Sequence, residues 1–213
     1  NFRLISKAAM NYNILKGLRF SQTAAIDYIV VTDYNYFDAT TNDGIDTNGQ
    51  VSDGYNDNRT LTTQSSLKYV KAIGENHEID ALGVFEYQKV DSKSFYASGS
   101  GLASGKLKTL SSTAKPESVT GGNSEYAFVS LLGQLNYSFM SKYLLTANVR
   151  RDGSSRFGAN NRYATFYSVG GSWILSEEGF LKNMSLLSNL RLRASYGTTG
   201  NAAIGNFASL QLY

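Results

Sequence analysis

The sequence predicts an all-β chain: a segment of an antiparallel transmembrane β-barrel made of about eight long strands. Three observations carry that prediction. Apolar and polar residues alternate with a period of two in segment after segment. The segments are longer than the strands of soluble domains. Their connections switch between tight turns and long polar stretches. One proline in 213 residues, Pro116, leaves extended backbone free to donate to a ladder.

The strands are expected at 2–12, 18–31, 60–72, 78–92, 124–139, 143–152, 162–174 and 189–197. In the second, Leu18, Phe20, Ala24, Ile26, Tyr28 and Val30 share one parity, while Arg19, Ser21, Thr23 and Asp27 share the other. In the fifth, Ala127, Val129, Leu131, Leu135, Tyr137 and Phe139 oppose Ser130, Gln134, Asn136 and Ser138. In the sixth, Tyr143, Leu145, Ala147 and Val149 oppose Thr146, Asn148 and Arg150. In the last, Leu190, Leu192, Ala194 and Tyr196 oppose Arg191, Arg193 and Ser195. Successive strand side chains point to opposite faces, so every segment carries one apolar and one wet face. Most segments run about 9–16 residues, whereas a soluble strand has about 5–6 and a tilted spanning strand needs about 9–11.

Tight turns are expected at Asn13–Gly17, Ile73–His77 and Met140–Lys142. Long polar loops are expected at Thr32–Arg59 and Asp91–Asn123, with a shorter one at Asp152–Asn161. Outer-membrane barrels sort their connections by side in this way; a soluble sandwich has no reason to. Ser176–Asn189 is too long for a tight turn. Ser176 followed by Glu177 and Glu178 reads as the start of one or two helical turns. Tyr137, Phe139 and Tyr143 gather around one turn, with Trp173 and Phe180 at the same level and Tyr163 and Tyr167 toward the other end. Such clustering suits aromatic girdles.

Composition narrows the function. A net charge of +3 and the lack of any Lys/Arg-rich run argue against nucleic acid as a partner. Absence of cysteine excludes a disulfide framework and any Cys-based zinc or redox site. No apolar run approaches the roughly 18–20 residues of a spanning helix. The first ten residues, NFRLISKAAM, already alternate and do not read as a signal peptide.

From Lys142 the chain reads KYLLTANVRRDGSSRFGANNRYATFYSVGGSWILSEEGFLKN, followed by LSNLRLRASYGTTGNAAIGNFA. The stretches Arg151–Gly158, Gly171–Leu181 and Leu190–Asn201, together with Asn11–Phe20, resemble the SusC/RagA-like branch of TonB-dependent outer-membrane transporters of the Bacteroidetes. The resemblance is strong over Gln134–Asn206 and compatible before it. It implies a parent with a plug domain inside a 22-stranded barrel in the cell outer membrane. It further implies import of bulky nutrients, glycans or oligopeptides, driven by TonB, with a SusD-like surface lipoprotein as partner. Residues 1–213 carry no plug region and about eight strands, so they are expected to be a partial barrel domain, an internal slice of such a parent. The wet parity supports the slice. It carries Arg3, Lys7, Arg19, Asp27, Lys68, Asp80, Glu86, Arg150, Arg191 and Arg193, too many charges for the side-chain-filled interior of an eight-stranded barrel. They suit a wide lumen holding water and a plug. The slice's free edges would promote aggregation.

Enzymatic and metal sites find no support. The Asp-rich Thr41–Asn58 stretch fails the EF-hand template, because with Gly49 at the invariant glycine the first ligand position falls on Gly44. It reads as a solvated loop. Arg150, Arg151, Asp152 and Arg156 suggest either a ligand or lid contact at the extracellular rim or, preferably, a tight turn at Asp152-Gly153 with Arg–Asp pairing across the hairpin. His77, the single histidine, reads as an exposed turn residue. Ser98–Gly105, SGSGLASG, reads as a flexible linker. Asp80 and Glu86 share a face but stand roughly 20 Å apart along a strand, beyond the about 5–9.5 Å of a glycosidase pair. No catalytic residue, cofactor or metal ligand is therefore assigned. Two other readings stay open: a passive porin or small complete barrel, with SLQLY as its final strand, and a secreted glycan-binding or glycan-cleaving β-sandwich.

Overall fold

The structure is a computed structural model that describes residues 1–158, 162–181 and 188–200. The eight strands form one antiparallel meander in chain order: β1 (Phe2–Leu15), β2 (Leu18–Phe37), β3 (Gln50–Ile73), β4 (His77–Leu102), β5 (Thr113–Phe139), β6 (Tyr143–Ser154), β7 (Tyr163–Ile174) and β8 (Arg191–Gly197). β1 and β8 stand at the two ends of the sheet order and do not pair with each other. No described helix is long and apolar enough to cross a membrane. The chain divides into two units. Unit one comprises Asn1–Ser6, Ala25–Leu61 and Lys89–Tyr126, and unit two comprises Lys7–Ala24, Thr62–Gln88 and Ala127–Tyr213.

Unit two contains the tight turns. Lys16 and Gly17 make a two-residue hairpin turn in which Gly17 has φ 84°, a conformation open to glycine at little cost. The β5–β6 turn reaches positive φ without glycine: Met140 and Ser141 sit at 51° and 56°, and Lys142 N–H closes the turn on the Phe139 carbonyl at 3.0 Å. Two successive positive φ angles give the primed geometry that follows strand twist, where Asn-Gly is the usual choice. A second bond helps to hold it, from Met140 N–H to the Asn76 carbonyl in the β3–β4 turn at 2.6 Å. From there the register is regular, with Phe139 opposite Tyr143, Leu135 opposite Ala147, and Leu145 opposite Gly171. The apolar parity is exposed: Leu131, Leu135, Leu145, Val149 and Val169 retain between 46% and 57% of their surface. A soluble sheet would cover such a row. A strand facing lipid leaves it bare.

Unit one holds the buried hydrophobic side chains among the described residues, Val51, Val90, Ala97 and Leu102, together with buried Ser52, Ser98 and Ser100, whereas the buried side chains of unit two are serines, Ser130, Ser154 and Ser176. Here the structure departs from the expected loops. Most of Thr32–Arg59 and Asp91–Asn123 is strand, and the connections shrink to residues 38–49 and 103–112. Their Asp, Asn, Gly and Ser content removes the apolar alternation that reveals a strand, yet backbone pairing needs no apolar side chain. Ser98–Leu102 of the expected linker is strand and mostly buried. Gly101, at φ 72°, donates its N–H to the carbonyls of Thr47 and Gly49, and Leu102 N–H donates to that of Asn48. The segment is therefore pinned to the neighbouring loop.

Two smaller expectations are also corrected. Asp152 and Gly153 do not turn: both lie within β6, paired to Ser130 and Val129 on one side and to Ala164 and Tyr163 on the other. The chain turns only beyond Ser154. Ser176 is not a cap but lies inside a 3-10 turn at Leu175–Glu177, followed by a second turn closed from Leu181 N–H to the Glu178 carbonyl at 2.9 Å. Residues 182–187 of that connection, 159–161 of the shorter loop and the terminal SLQLY lie outside the described residues.

Candidate functional site

The candidate site is the wet face, which the alternation assembles without any loop. Within unit two, cross-strand contacts join Lys68 to Asp80 at 3.1 Å and bring the Gln64 amide to Glu86 at 3.3 Å. Arg19 donates to Asn13, Ser21 to Asn11, Thr146 to Asn136 and Asn148 to Ser168. Within unit one the same parity pairs Arg3 with Asp27 at 2.8 Å and Asn58 with Ser92 at 2.9 Å. Asp80 and Glu86 thus take separate partners. Exposed ion pairs of this kind are screened by water and contribute little stability, so their value is to fix the directions of polar groups rather than to hold the sheet. Lys7, Arg191 and Arg193 are exposed, the last two opposite Ile174 and Ser172.

The Arg150–Asp152 pairing runs along β6 rather than across a hairpin. Arg150 Nε donates to both Asp152 oxygens at 2.8 Å, its Nη2 donates to Ser130 Oγ at 3.1 Å, and Ser130 Oγ donates to Asp152 Oδ1 at 2.6 Å. Residues two apart on a strand share a face, which makes the pair possible. Arg151 points to the other face and lies over the Tyr163 ring at 5.0 Å. Arg156 lies beyond β6.

His77 opens β4 rather than sitting in the turn. It is exposed, but its ring stacks on Tyr137 and tilts against Phe139, and Nδ1 lies 2.7 Å from the Tyr137 hydroxyl. Phe139 continues to Tyr143, and Tyr143 to Trp173, with centroids about 6 Å apart. The aromatics expected around the β5–β6 turn, Tyr137, Phe139, Tyr143 and Trp173, thus form one row of ring contacts that His77 joins. Phe180 lies in the following turn, exposed. Glu178 anchors the end of this row, accepting from Trp173 Nε1 at 3.0 Å and the Tyr143 hydroxyl at 2.8 Å, with Lys142 Nζ at 3.5 Å. The indole and phenol bonds hold its carboxyl below the ordinary value. The sequence gives little sign of His77 or Glu178, because their partners lie up to 60 residues away.

In unit one the loop residues satisfy one another. The Tyr36 hydroxyl donates to Asp38 at 2.6 Å, Thr40 adds two bonds to the same carboxylate, and Lys108 covers the Tyr36 ring. These bonds, the phenol first, bring the Asp38 pKa down to about 2. The Ser100 hydroxyl and then Lys115 lower that of Glu117. The Asp-rich stretch is dispersed: Asp43 and Asp46 lie in the loop, Asp53 and Asp57 on β3. Among the described residues no three His, Asp or Glu side chains converge as metal ligands.

Comparison with known proteins agrees with this two-faced sheet. The profile of the family described as TonB dependent receptor-like, beta-barrel matches residues 6–212. TonB-dependent receptor P26 of Formosa agariphila is 39% identical over 66% of this chain and 14% of its own length. TonB-dependent receptor SusC of Bacteroides thetaiotaomicron is 38% identical over 69% of this chain and 14% of its own length. Receptor P39 of Formosa agariphila aligns over 99% of the chain at 31% identity, and over 21% of its own length. Among solved structures, the RagAB peptide transporter superposes with TM-score 0.89 at 31% identity, covering 96% of this chain and 23% of the other. The chain thus spans between a seventh and a quarter of the relatives it matches, and those relatives are receptors and transporters rather than enzymes. With eight antiparallel strands, an open sheet order and this match along nearly its whole length, the chain belongs to the β-barrel family of TonB-dependent receptors, in its SusC/RagA-like branch.

Proposed function

We propose that the chain is a stretch of the barrel wall of an outer-membrane active transporter, which takes energy through TonB and imports bulky nutrients, glycans or oligopeptides. The observation that carries this reading is the division of the strands into a bare apolar face and a face of paired charges and amides. A wall between lipid and a wide wet lumen needs both. In this reading residues 1–213 form part of a larger barrel, and the wet face meets the plug domain and passing cargo. The long-hairpin side faces outward, where a SusD-like lipoprotein closes on it, and the rim around Arg150–Arg156 contributes to that contact.

The test uses the full-length receptor in its own bacterium. Deleting its gene should abolish uptake of either fluorescent oligosaccharides or fluorescent oligopeptides, and the intact gene should restore it. Restoration should fail when TonB is inactivated. Uptake that persists without TonB would establish a passive pore instead.

A further inference from the structure

Unit one carries a second polar cluster, on the face that bears the apolar residues. Tyr28 and Ile26 of β2 share their parity with Leu18 and Phe20, and Arg59, Asp57, Asp91 and Lys93 line the same pocket from β3 and β4. The pocket holds about 340 Å3. One wall is apolar and aromatic, and the remainder is charged.

The charges are not equally committed. Asp57 Oδ2 accepts from the hydroxyls of Tyr28 and Tyr55, each at 3.0 Å. Asp91 is held by Arg59 at 3.2 Å and Lys89 at 3.5 Å, and Lys89 is held again by Glu125 at 2.9 Å. Both carboxylates are thus occupied by donors. The cations retain spare capacity. Arg59 spends one amino group on Asp91 and keeps 51% of its side chain exposed, while Lys93 is exposed and has no hydrogen bond or ion pair among the described residues. A guanidinium has five N–H donors and an ammonium three, so this pocket offers several unused donors around its opening.

We propose that the pocket seats the phosphate of a phosphorylated glycolipid headgroup, with Arg59 and Lys93 as its donors and the acyl part running past Ile26 and Tyr28. This rests on the reading that the apolar face meets lipid. With both carboxylates occupied by donors, the spare donors of Arg59 and Lys93 beside the apolar wall of Ile26 and Tyr28 select an amphipathic anion over a free one. The side is fixed by the connections. The pocket lies in the unit that carries the long hairpins, the extracellular side of such barrels, where the lipid leaflet is rich in phosphorylated glycolipid. Basic residues at a membrane surface attract anionic headgroups individually and additively.

The experiment uses the full-length receptor purified in detergent, with diphosphoryl lipid A as the probe and native mass spectrometry as the readout. Arg59→Gln combined with Lys93→Gln should weaken lipid A binding about 30-fold. Lys115→Gln, which removes a cation elsewhere in unit one, should leave it unchanged. Dephosphorylated lipid A should bind both forms equally weakly, and millimolar inorganic phosphate should not displace the lipid. Equal binding by wild type and double variant, or equal loss in Lys115→Gln, overturns the site. Efficient displacement by inorganic phosphate overturns the lipid as its occupant. The underlying reading fails separately, if the receptor stays soluble and folded without detergent.

Discussion

Unit two and unit one solve opposite problems with the same secondary structure. In unit two the apolar side chains are bare, and its turns are as short as two or three residues. In unit one the strands run on past the apolar alternation, and Val51, Ala97, Leu102 and three serines are buried on β3 and the end of β4. The former draws its stability from a solvent other than water; the latter builds a small water-type core of its own. The comparison teaches that one strand can obey two burial rules along its length, and that a change tolerated by one rule breaks the other.

The largest expected effect follows from reversing the outward face of unit two. Leu135→Arg should cost about 2–4 kcal/mol of membrane stability, whereas Gln134→Arg, one residue away on the wet face, should cost little. Folded yield of the full-length receptor in outer-membrane fractions, read by heat-modified gel mobility, measures both. Equal losses would show that the two faces do not differ in solvent.

Next comes the core of unit one. A Cβ at Gly49 (φ 82°) would stand 2.7 Å from Leu102 Cδ1, so Gly49→Val combines a clash with a disfavoured backbone, at about 1–3 kcal/mol. Protease nicking within residues 38–49 should rise sharply while heat-modified mobility of the barrel is unchanged. Loss of barrel mobility as well would mean that the loop core is not independent.

A smaller effect is expected from acid. The Asp38 carboxyl lies at about 2, below its ordinary value, so its contribution to the loop is complete above that ordinary value and disappears as pH falls toward 2. Protection of Thr40 and Thr41 from hydrogen exchange, relative to the intrinsic rate, should fall across that window. In Tyr36→Phe, which removes the strongest bond to Asp38, the folded carboxyl returns toward its ordinary value, so the fall should be smaller and end at higher pH. An unchanged extent and end point would remove the phenol as the cause.

The smallest change is a gain. Ser141→Gly relieves a positive φ in the β5–β6 turn and should stabilise the receptor by about 0.4–1 kcal/mol, visible as slower thermal loss of the folded band.

Parity made much of this legible. Period two located all eight strands, and the turns at Lys16–Gly17 and Met140–Lys142 interrupt the apolar alternation without changing its parity. The pairing of Lys68 with Asp80 and of Arg3 with Asp27 was implicit in their shared face, though not the partners themselves. The polar ends of β2, β3, β4 and β5 were hidden because Gly, Ser, Asn and Asp carry no hydrophobic period while their backbone still pairs. Asp152–Gly153 was misread for a related reason: the dipeptide favours a turn locally, but ladders on both sides outweigh that preference. A signal for the lipid-side charges was present. Along one parity of β4 the chain reads Phe85, Tyr87, Lys89, Asp91, Lys93, and the switch from aromatic to charged marks the edge of the apolar band.

The bond from Trp173 to Glu178 has a practical consequence. Trp173 is the chain's one tryptophan, and its indole N–H is fixed on a carboxylate at the end of the aromatic row. In a receptor stripped of its other tryptophans, the emission colour of this ring would report whether β7 has reached its seat. Assembly of this stretch of wall could then be timed with no added dye.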